Sequence, residues 1–292
     1  MMTLLISSKI YNLNVIFFVI LNFICLREPE NLLEKFEICY ESKVLRFSNP
    51  PENIWNNLAY NVKFCDFEKN LNLVPLDNWD ETKWIVFPKN SNFENNFTLV
   101  TLGIANDISA EEKLRDLLPQ TQFFGADPTN MSKIYTKIGE HFQFGVSAET
   151  GLKSTRIFSE TRNNSRFSTT SFETPERNVN FVEFIDDYVQ RKLVHFLWID
   201  IEGGEFELFE MLYRNGDIDT NHIDICQINL EIHQKLLANI TNEAEKFANF
   251  LRKIVEDGKY IIAKPFNFSV LNFIRLFLVN VEDPECRRLF ID

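Results

Sequence analysis

From residue 96 onward the chain alternates short apolar runs with amphipathic stretches. Residues 97–103 (FTLVTLG) are a β-branched apolar run closed by a glycine, the pattern of a buried strand. A helix follows from Ser109, with Leu114, Leu117 and Leu118 on one face and an S-x-x-E capping box at Ser109 and Glu112. A second strand is predicted over 122–127, ending on Asp127. Pro128 then opens a helix with Met131, Ile134, Tyr135 and Ile138 as its apolar positions, and a third strand is predicted over 141–147. Residues 148–178, rich in Ser, Thr, Asn and Arg, break this rhythm, and 152–177 within them read as a mobile polar loop. The pattern resumes as a helix over 181–189, a strand over 194–200, a helix over 205–216 ended by Gly216, and a near-alternating strand over 222–233. An amphipathic helix over 242–258, stopped by Gly258, precedes two closing strands over 260–264 and 275–281. Five strands alternating with helices imply an α/β fold with a mostly parallel sheet, and two last strands follow with no full helix between them.

Upstream, residues 28–95 carry Pro50-Pro51, Pro75 and Pro88 and many asparagines. They read as a cap or lead-in, with short helices around 30–45 and 52–70, to a main domain over 96–292. Residues 1–27 contain an apolar run, 13–26, flanked by Lys9 on one side and by Arg27, Glu28 and Glu30 on the other. At about 14 apolar residues it is shorter than the roughly 20 that span a bilayer. It suits a signal peptide or a short signal anchor with membrane attachment through residues 10–26; the alternative is a buried helix or strand of the folded domain.

Composition narrows the function. A net charge of -12 argues against a nucleic-acid partner, and the basic residues Lys153, Arg156, Arg162, Arg166 and Arg177 are interspersed with Glu160, Glu173 and Glu176. Nine glycines in 292 residues leave little material for phosphate-cradling loops. No C-x-x-C occurs and there are four histidines, so no metal site is expected. Leaving aside Cys25 in the apolar run, Cys39, Cys65, Cys226 and Cys286 allow two disulfides in three connectivities, although Cys226 in its apolar strand also reads as a plain buried thiol. Sequons at Asn96, Asn130, Asn163, Asn239 and Asn267 are common by chance in so Asn-rich a chain. The apolar N-terminus and the cysteines together lead us to expect a secretory-pathway location, whether luminal, membrane-anchored or secreted.

Three constellations carry candidate chemistry. The first is Gly103-Ile104-Ala105-Asn106-Asp107 after the first strand, where a glycine lets backbone approach a cofactor beside a helix N-terminus. The second is Asp127, 24 residues beyond Gly103, placed as an acceptor for ribose hydroxyls and equally good as a helix cap before Pro128. The third is FLWIDIEGGEFELFEML over 196–212. Here Asp200-Ile201-Glu202-Gly203 followed by Glu205 closely resembles the D-[V/I]-E-G-x-E signature of the FkbM-type methyltransferases. FVEFIDDYV upstream, LGIAND with Glu111, FGADP and Glu231-Ile232-His233 fall where that family's other motifs belong, so the resemblance covers about residues 97–283.

The resemblance implies a doubly wound, Rossmann-like methyltransferase sheet ending in an antiparallel strand pair. It also implies S-adenosylmethionine as cofactor and O-methylation of a hydroxyl on a glycan or small metabolite. Cofactor contacts are then expected from Gly103, Ile104, Ala105, Asp107, Asp127 and Asp200. Asp200 and Glu202, at the carboxyl end of the fourth strand, are candidates to orient the acceptor or the cofactor amine, with Glu231 and His233 as further base candidates. Ala105 stands where many Rossmann methyltransferases have a second glycine, which leaves room for a catalytically inactive binding protein on the same fold. A luminal glycosyltransferase is the third reading, but Asp200-Ile201-Glu202 makes a poor D-x-D metal motif, since a glycine turn and a helix follow at once.

Overall fold

A computed structural model describes residues 31–292 except 80, 90–95, 105–106, 130, 164–165, 235–239 and 269–272. The segment 1–27 and Ala105 therefore lie outside the described residues. In chain order the elements are α1 (Leu32–Lys43), α2 (Glu52–Val62), β1 (Leu73–Asp77), β2 (Thr82–Val86), β3 (Thr98–Leu102), α3 (Ser109–Leu117) and β4 (Gln122–Ala126). A 3-10 segment (Met131–Lys137) leads to β5 (Glu140–Phe142), β6 (Gly145–Ser147), β7 (Gly151–Asn163) and β8 (Arg166–Asn180). Next come α4 (Phe181–Glu183), prolonged by a π-helical turn, β9 (Leu193–Ile199), α5 (Glu205–Leu208), α6 (Asp217–Thr220) and β10 (Asp224–His233). The chain closes with α7 (Ile240–Asp257), β11 (Tyr260–Phe268), β12 (Phe273–Asn280) and α8 (Pro284–Phe290).

The apolar runs pair into one seven-stranded sheet of order β11-β12-β10-β9-β3-β4-β5. The pairs β10/β9, β9/β3, β3/β4 and β4/β5 are parallel, whereas β12 runs antiparallel to β10 and β11 antiparallel to β12. All five residues of β3 are buried, as are Val194 to Ile199 of β9, which is why these strands read as continuous apolar runs. Strand order reverses direction at β3, which has β4 on one side and β9 on the other. The carboxyl ends of β3 and β9 therefore flank the crevice where open α/β sheets place ligands.

Five local expectations are corrected. The stretch 148–178 is not a loop: β7 and β8 form a long antiparallel ribbon registered from Gly151↔Asn178 to Asn163↔Arg166. Its Thr and Phe residues favour extended backbone without the apolar alternation that announces a half-buried strand. Residues 141–147 divide between two sheets, with β5 ending the central sheet and β6 joining the ribbon in a β6-β8-β7 sheet. The helix after Pro128 is a 3-10 segment, and the helix at 205–216 breaks after Leu208, with Gly216 opening α6 rather than closing its predecessor. The capping box at Ser109 does not form; the Ser109 amide donates to Asp107 Oδ1 at 2.9 Å.

The lead-in region is built into the domain. Tyr40 donates its hydroxyl proton to the Ile262 carbonyl, the Ala59 amide donates to Asn267 Oδ1, and Trp55 meets Phe247 of α7 edge-on at 5.3 Å. Asn267, one of the sequon asparagines, is thus tied to α2 through its side chain. The β1–β2 hairpin lies across β10, where the Gln227 and Asn229 amides mimic a neighbouring strand. Each accepts from a β2 amide (Val86, Trp84) and donates back to the carbonyl of the same residue, at 2.7–3.0 Å. The near-alternation of β10 therefore faces a polar hairpin contact and not water. Disulfides join Cys39 to Cys65 and Cys226 to Cys286, so Cys226 is no free thiol. Among the described residues no helix is long and apolar enough to cross a membrane.

His195 gives this core a pH dependence. Its Nδ1 accepts the Thr98 amide at 3.0 Å, and burial pushes the imidazole down to about 4 against the opposing pull of Glu285. A histidine with a depressed folded value contributes stability above its unfolded value of about 6.5, lost as pH falls towards the folded one. Between pH 7 and pH 4 the wild-type chain should lose about 3 kcal/mol more than His195→Gln. Denaturant unfolding at both pH values measures this, and parallel losses in the two proteins would refute it.

Candidate active site

The turn after β9 sets the site. Glu202 and Gly203 both take positive φ, 55° and 99°, so the D-I-E-G segment doubles back at the end of the strand. A left-handed glutamate is a strained position, of the kind that collects at functional sites. Glu205, fully buried at the start of α5, holds the turn: Oε1 accepts the Ile201 amide and Oε2 the Gly203 amide, both at 2.9 Å.

Four carboxylates converge on one imidazole there. His233 Nδ1 lies 3.3 Å from Glu205 Oε1 and 3.8 Å from Asp200 Oδ1, while Nε2 lies 3.2 Å from Glu231 Oε1 and 3.6 Å from Glu202 Oε2. The structure thus brings together Asp200, Glu202, Glu231 and His233, all from the carboxyl ends of β9 and β10. Burial opposes charge on His233, but the hydrogen bonds to Glu205 and Glu231 outweigh it and raise the ring to about 12. Glu231 is likewise buried, yet its bonds with His233 and Arg275 bring it down to about 2. Burial and the neighbouring Glu231 push the Asp200 carboxyl well above its ordinary range. Asp200 Oδ1 is buried and has no hydrogen-bond partner.

A second layer came from outside the predicted set. Arg275 of β12 binds Glu231 Oε2 and approaches Glu81 Oε2 at 3.5 Å, and Lys83 Nζ pairs with Glu81 Oε1 at 2.5 Å. Lys83 is 7 % exposed and Glu81 is nearly as buried, on the hairpin that the sequence marked only as lead-in. Burial works against the Lys83 charge, but Glu81, Asp200 and Glu231 raise it above its ordinary value. A signal for Glu205 was present, since it is the last acid of the D-I-E-G-x-E block. Glu81, Lys83 and Arg275 carry no local motif and meet the cluster only through tertiary pairing.

The predicted cofactor side sits next to this cluster. Gly103 has φ +80°, and a Cβ there would lie 1.6 Å from the Asp200 carbonyl oxygen. The glycine is thus demanded by the approach of β9, a reason the sequence did not reveal. Asp127, 7 % exposed, accepts the Ile104 amide on Oδ2 at 2.7 Å and the Thr129 amide and hydroxyl on Oδ1 at 2.7 and 2.6 Å. Burial raises its carboxyl despite those bonds. Asp107 stands apart from Asp127, with its oxygens taken by the Ser109 and Trp79 amides. A cavity of about 510 Å³ opens beside the cluster, walled by Glu81, Lys83, Trp84, Glu231, Lys264, Phe266 and Arg275 among others.

Comparison with known proteins bears on this arrangement. The model of the methyltransferase FkbM domain matches residues 53–274. An uncharacterized protein of Caenorhabditis elegans is 25% identical over 196 residues, covering 67% of this chain and 56% of that protein, so the chain spans about half the length of this curated relative. Among solved structures, a Clostridium thermocellum protein described as an rRNA methylase superposes with a TM-score of 0.35 at 14% identity, covering 65% of this chain and 89% of that one. Aeropyrum pernix fibrillarin, solved with natively bound S-adenosyl-L-methionine, gives 0.35 at 12%, covering 64% and 68%.

Proposed function

The chain belongs to the methyltransferase FkbM domain family, and on that footing we propose that it is an S-adenosylmethionine-dependent O-methyltransferase acting on a hydroxyl of a glycan or small metabolite. The observation that carries this reading is the meeting of Gly103, Asp127 and Asp200 along the carboxyl edge of β3, β4 and β9, at the switch point of the sheet.

The residues present suit the cofactor. Asp127 Oδ1 is filled by the Thr129 amide and hydroxyl, whereas Oδ2 accepts the Ile104 amide with one of its two lone pairs and keeps the other for a ribose hydroxyl. The Gly103–Ile104 backbone, held by Asp127 through the Ile104 amide and packed against the Asp200 carbonyl, would help to hold the cofactor. When bound, S-adenosylmethionine supplies an electrophilic methyl on a positively charged sulfur, which the carboxylate-rich edge favours. Alignment of donor and acceptor provides much of the rate in such a displacement. Asp200 would take the proton that the acceptor hydroxyl gives up on methylation, since its raised carboxyl holds a proton more firmly than an ordinary aspartate. His233, held as an imidazolium by Glu205 and Glu231, orients the acids around it.

A neutral, hydroxylated acceptor fits the cavity. Three cations on its wall are each paired with a carboxylate, Lys83 with Glu81, Arg275 with Glu231 and Lys264 with Glu68. Trp84 and Phe266 offer apolar ring faces to the body of a sugar or metabolite. Two disulfides support folding in the oxidising secretory pathway.

Calorimetric titration with S-adenosylhomocysteine tests the reading. The wild-type chain should bind, and Asp127→Ala should lose at least tenfold in affinity, about 1.4 kcal/mol. A folded wild-type chain that binds neither S-adenosylhomocysteine nor S-adenosylmethionine would overturn it in favour of a non-catalytic binding protein on the methyltransferase fold.

A further inference from the structure

The geometry points to a divalent first-row metal ion, of the manganese or zinc kind, held by Asp200, Glu231 and His233. This departs from the expectation of no metal. It deepens the methyl-transfer reading, because the ion would sit where that reading puts the acceptor hydroxyl.

One ligand atom from each of the three residues lies within 4.8 Å of the others. A mixed set of imidazole nitrogen and carboxylate oxygens suits manganese or zinc, whose ligand distances near 2 Å draw donors together from such a spread. The independent observation is Asp200 Oδ1, an acceptor atom sealed from solvent that no donor reaches. Buried polar atoms are nearly always satisfied, and an unmodified orphan oxygen beside two other ligand atoms marks a position for a cation.

The imidazole argues the same way. Its two nitrogens face four carboxylates, Glu205 and Asp200 on one side and Glu231 and Glu202 on the other. So much negative charge around one ring calls for a cation. Without an ion the ring itself carries that charge as an imidazolium, and a divalent ion on one nitrogen would take the place of its proton. Glu205 suits the outer role, since it is fully buried, anchored by the Ile201 and Gly203 amides, and within hydrogen-bond reach of the ring. A carboxylate behind a ligating histidine is the usual orienting partner. Arg275 does the same for Glu231 from the Oε2 side, leaving Oε1 towards the histidine.

The ion would lower the pKa of a bound acceptor hydroxyl into a range that a carboxylate can serve. Asp200 would ligate through Oδ1 and keep its other oxygen for the proton. No redox change is involved.

Manganese provides the probe. The chain from residue 28 onward, produced with its disulfides intact and treated with chelator, is titrated with Mn²⁺ and followed by electron paramagnetic resonance. One tightly bound equivalent is expected, displaced by Zn²⁺, and at least tenfold weaker in Glu231→Gln and in His233→Gln. With only four histidines in the chain, proton NMR gives a second readout that needs no variant: Mn²⁺ should broaden the His233 ring signals before those of His141, His195 and His222. No bound Mn²⁺ or Zn²⁺ in the folded wild-type chain overturns the inference, and so does binding that spares the His233 signals. Titration of S-adenosylhomocysteine in chelator separates the two proposals. Cofactor binding without ion binding removes the metal alone, and ion binding without cofactor binding removes methyl transfer alone.

Discussion

Asp200→Asn is expected to lower turnover by roughly 10²–10⁴-fold, the range for removing a group that takes a proton in the transition state, while melting no lower than the wild-type chain. The two halves of this result have one cause. Asp200 sits among Glu202, Glu205 and Glu231, and burial together with Glu231 disfavours its charge. An amide of the same shape removes a buried charge from that company and leaves the backbone bond from the Asp200 amide to the Leu102 carbonyl untouched. Sites that concentrate like charges give up stability for function, and neutralising such a site returns some of it. Methyl transfer to an acceptor mixture and a thermal melt, run on the same preparation, test both halves. A variant with full activity would remove Asp200 from the mechanism, and a variant that unfolds would make it a structural residue.

The second large effect is expected from Gly103→Ala. A methyl group at this position would lie 1.6 Å from the Asp200 carbonyl oxygen and would sit on backbone with φ +80°, so both the contact and the conformation resist it. Relief requires parting β3 from the end of β9 in the middle of the sheet. We expect a loss of at least about 3 kcal/mol, in the range kept for strained or overpacked core positions, seen as a melting point lower by roughly ten degrees. Gly151→Ala is the control, since no heavy atom lies within 4 Å of its Cβ position. If Gly103→Ala melts like the wild type and loses only S-adenosylhomocysteine affinity, the glycine serves the ligand and not the strand junction.

The order in which these features became legible follows their range. Buried parallel strands announce themselves because both faces are apolar, so β3 and β9 are plain in FTLVTLG and VHFLWID. The acids at the strand ends were legible because D-I-E-G-x-E packs strand end, turn and helix start into six residues. The β7–β8 ribbon is not legible because its polar residues read as a loop, although Thr and Phe prefer extended backbone. Lys83, Glu81 and Arg275 are not legible for a different reason: the hairpin that carries the first two and the strand that carries the third lie far apart in sequence and form one network only when the hairpin lies across β10 and β12 pairs with β10. The docking of that hairpin depends on Gln227 and Asn229, whose amides look in sequence like solvent-facing residues of a half-buried strand.

The seating of α1 against β11 has a consequence for how the protein is made. Tyr40 binds the carbonyl of a residue 222 positions later, and the Lys89 amide binds the Leu289 carbonyl. At ordinary translation rates of 5–20 residues per second, roughly 10–45 s separate the emergence of Tyr40 from that of its partner. Through that interval Phe36, Tyr40, Ile54 and Leu58, all fully buried in the finished molecule, have no strand to cover them. Until residues 260–268 have emerged the nascent chain therefore exposes this apolar surface, and a ribosome stalled before residue 260 would display a sticky, half-built domain.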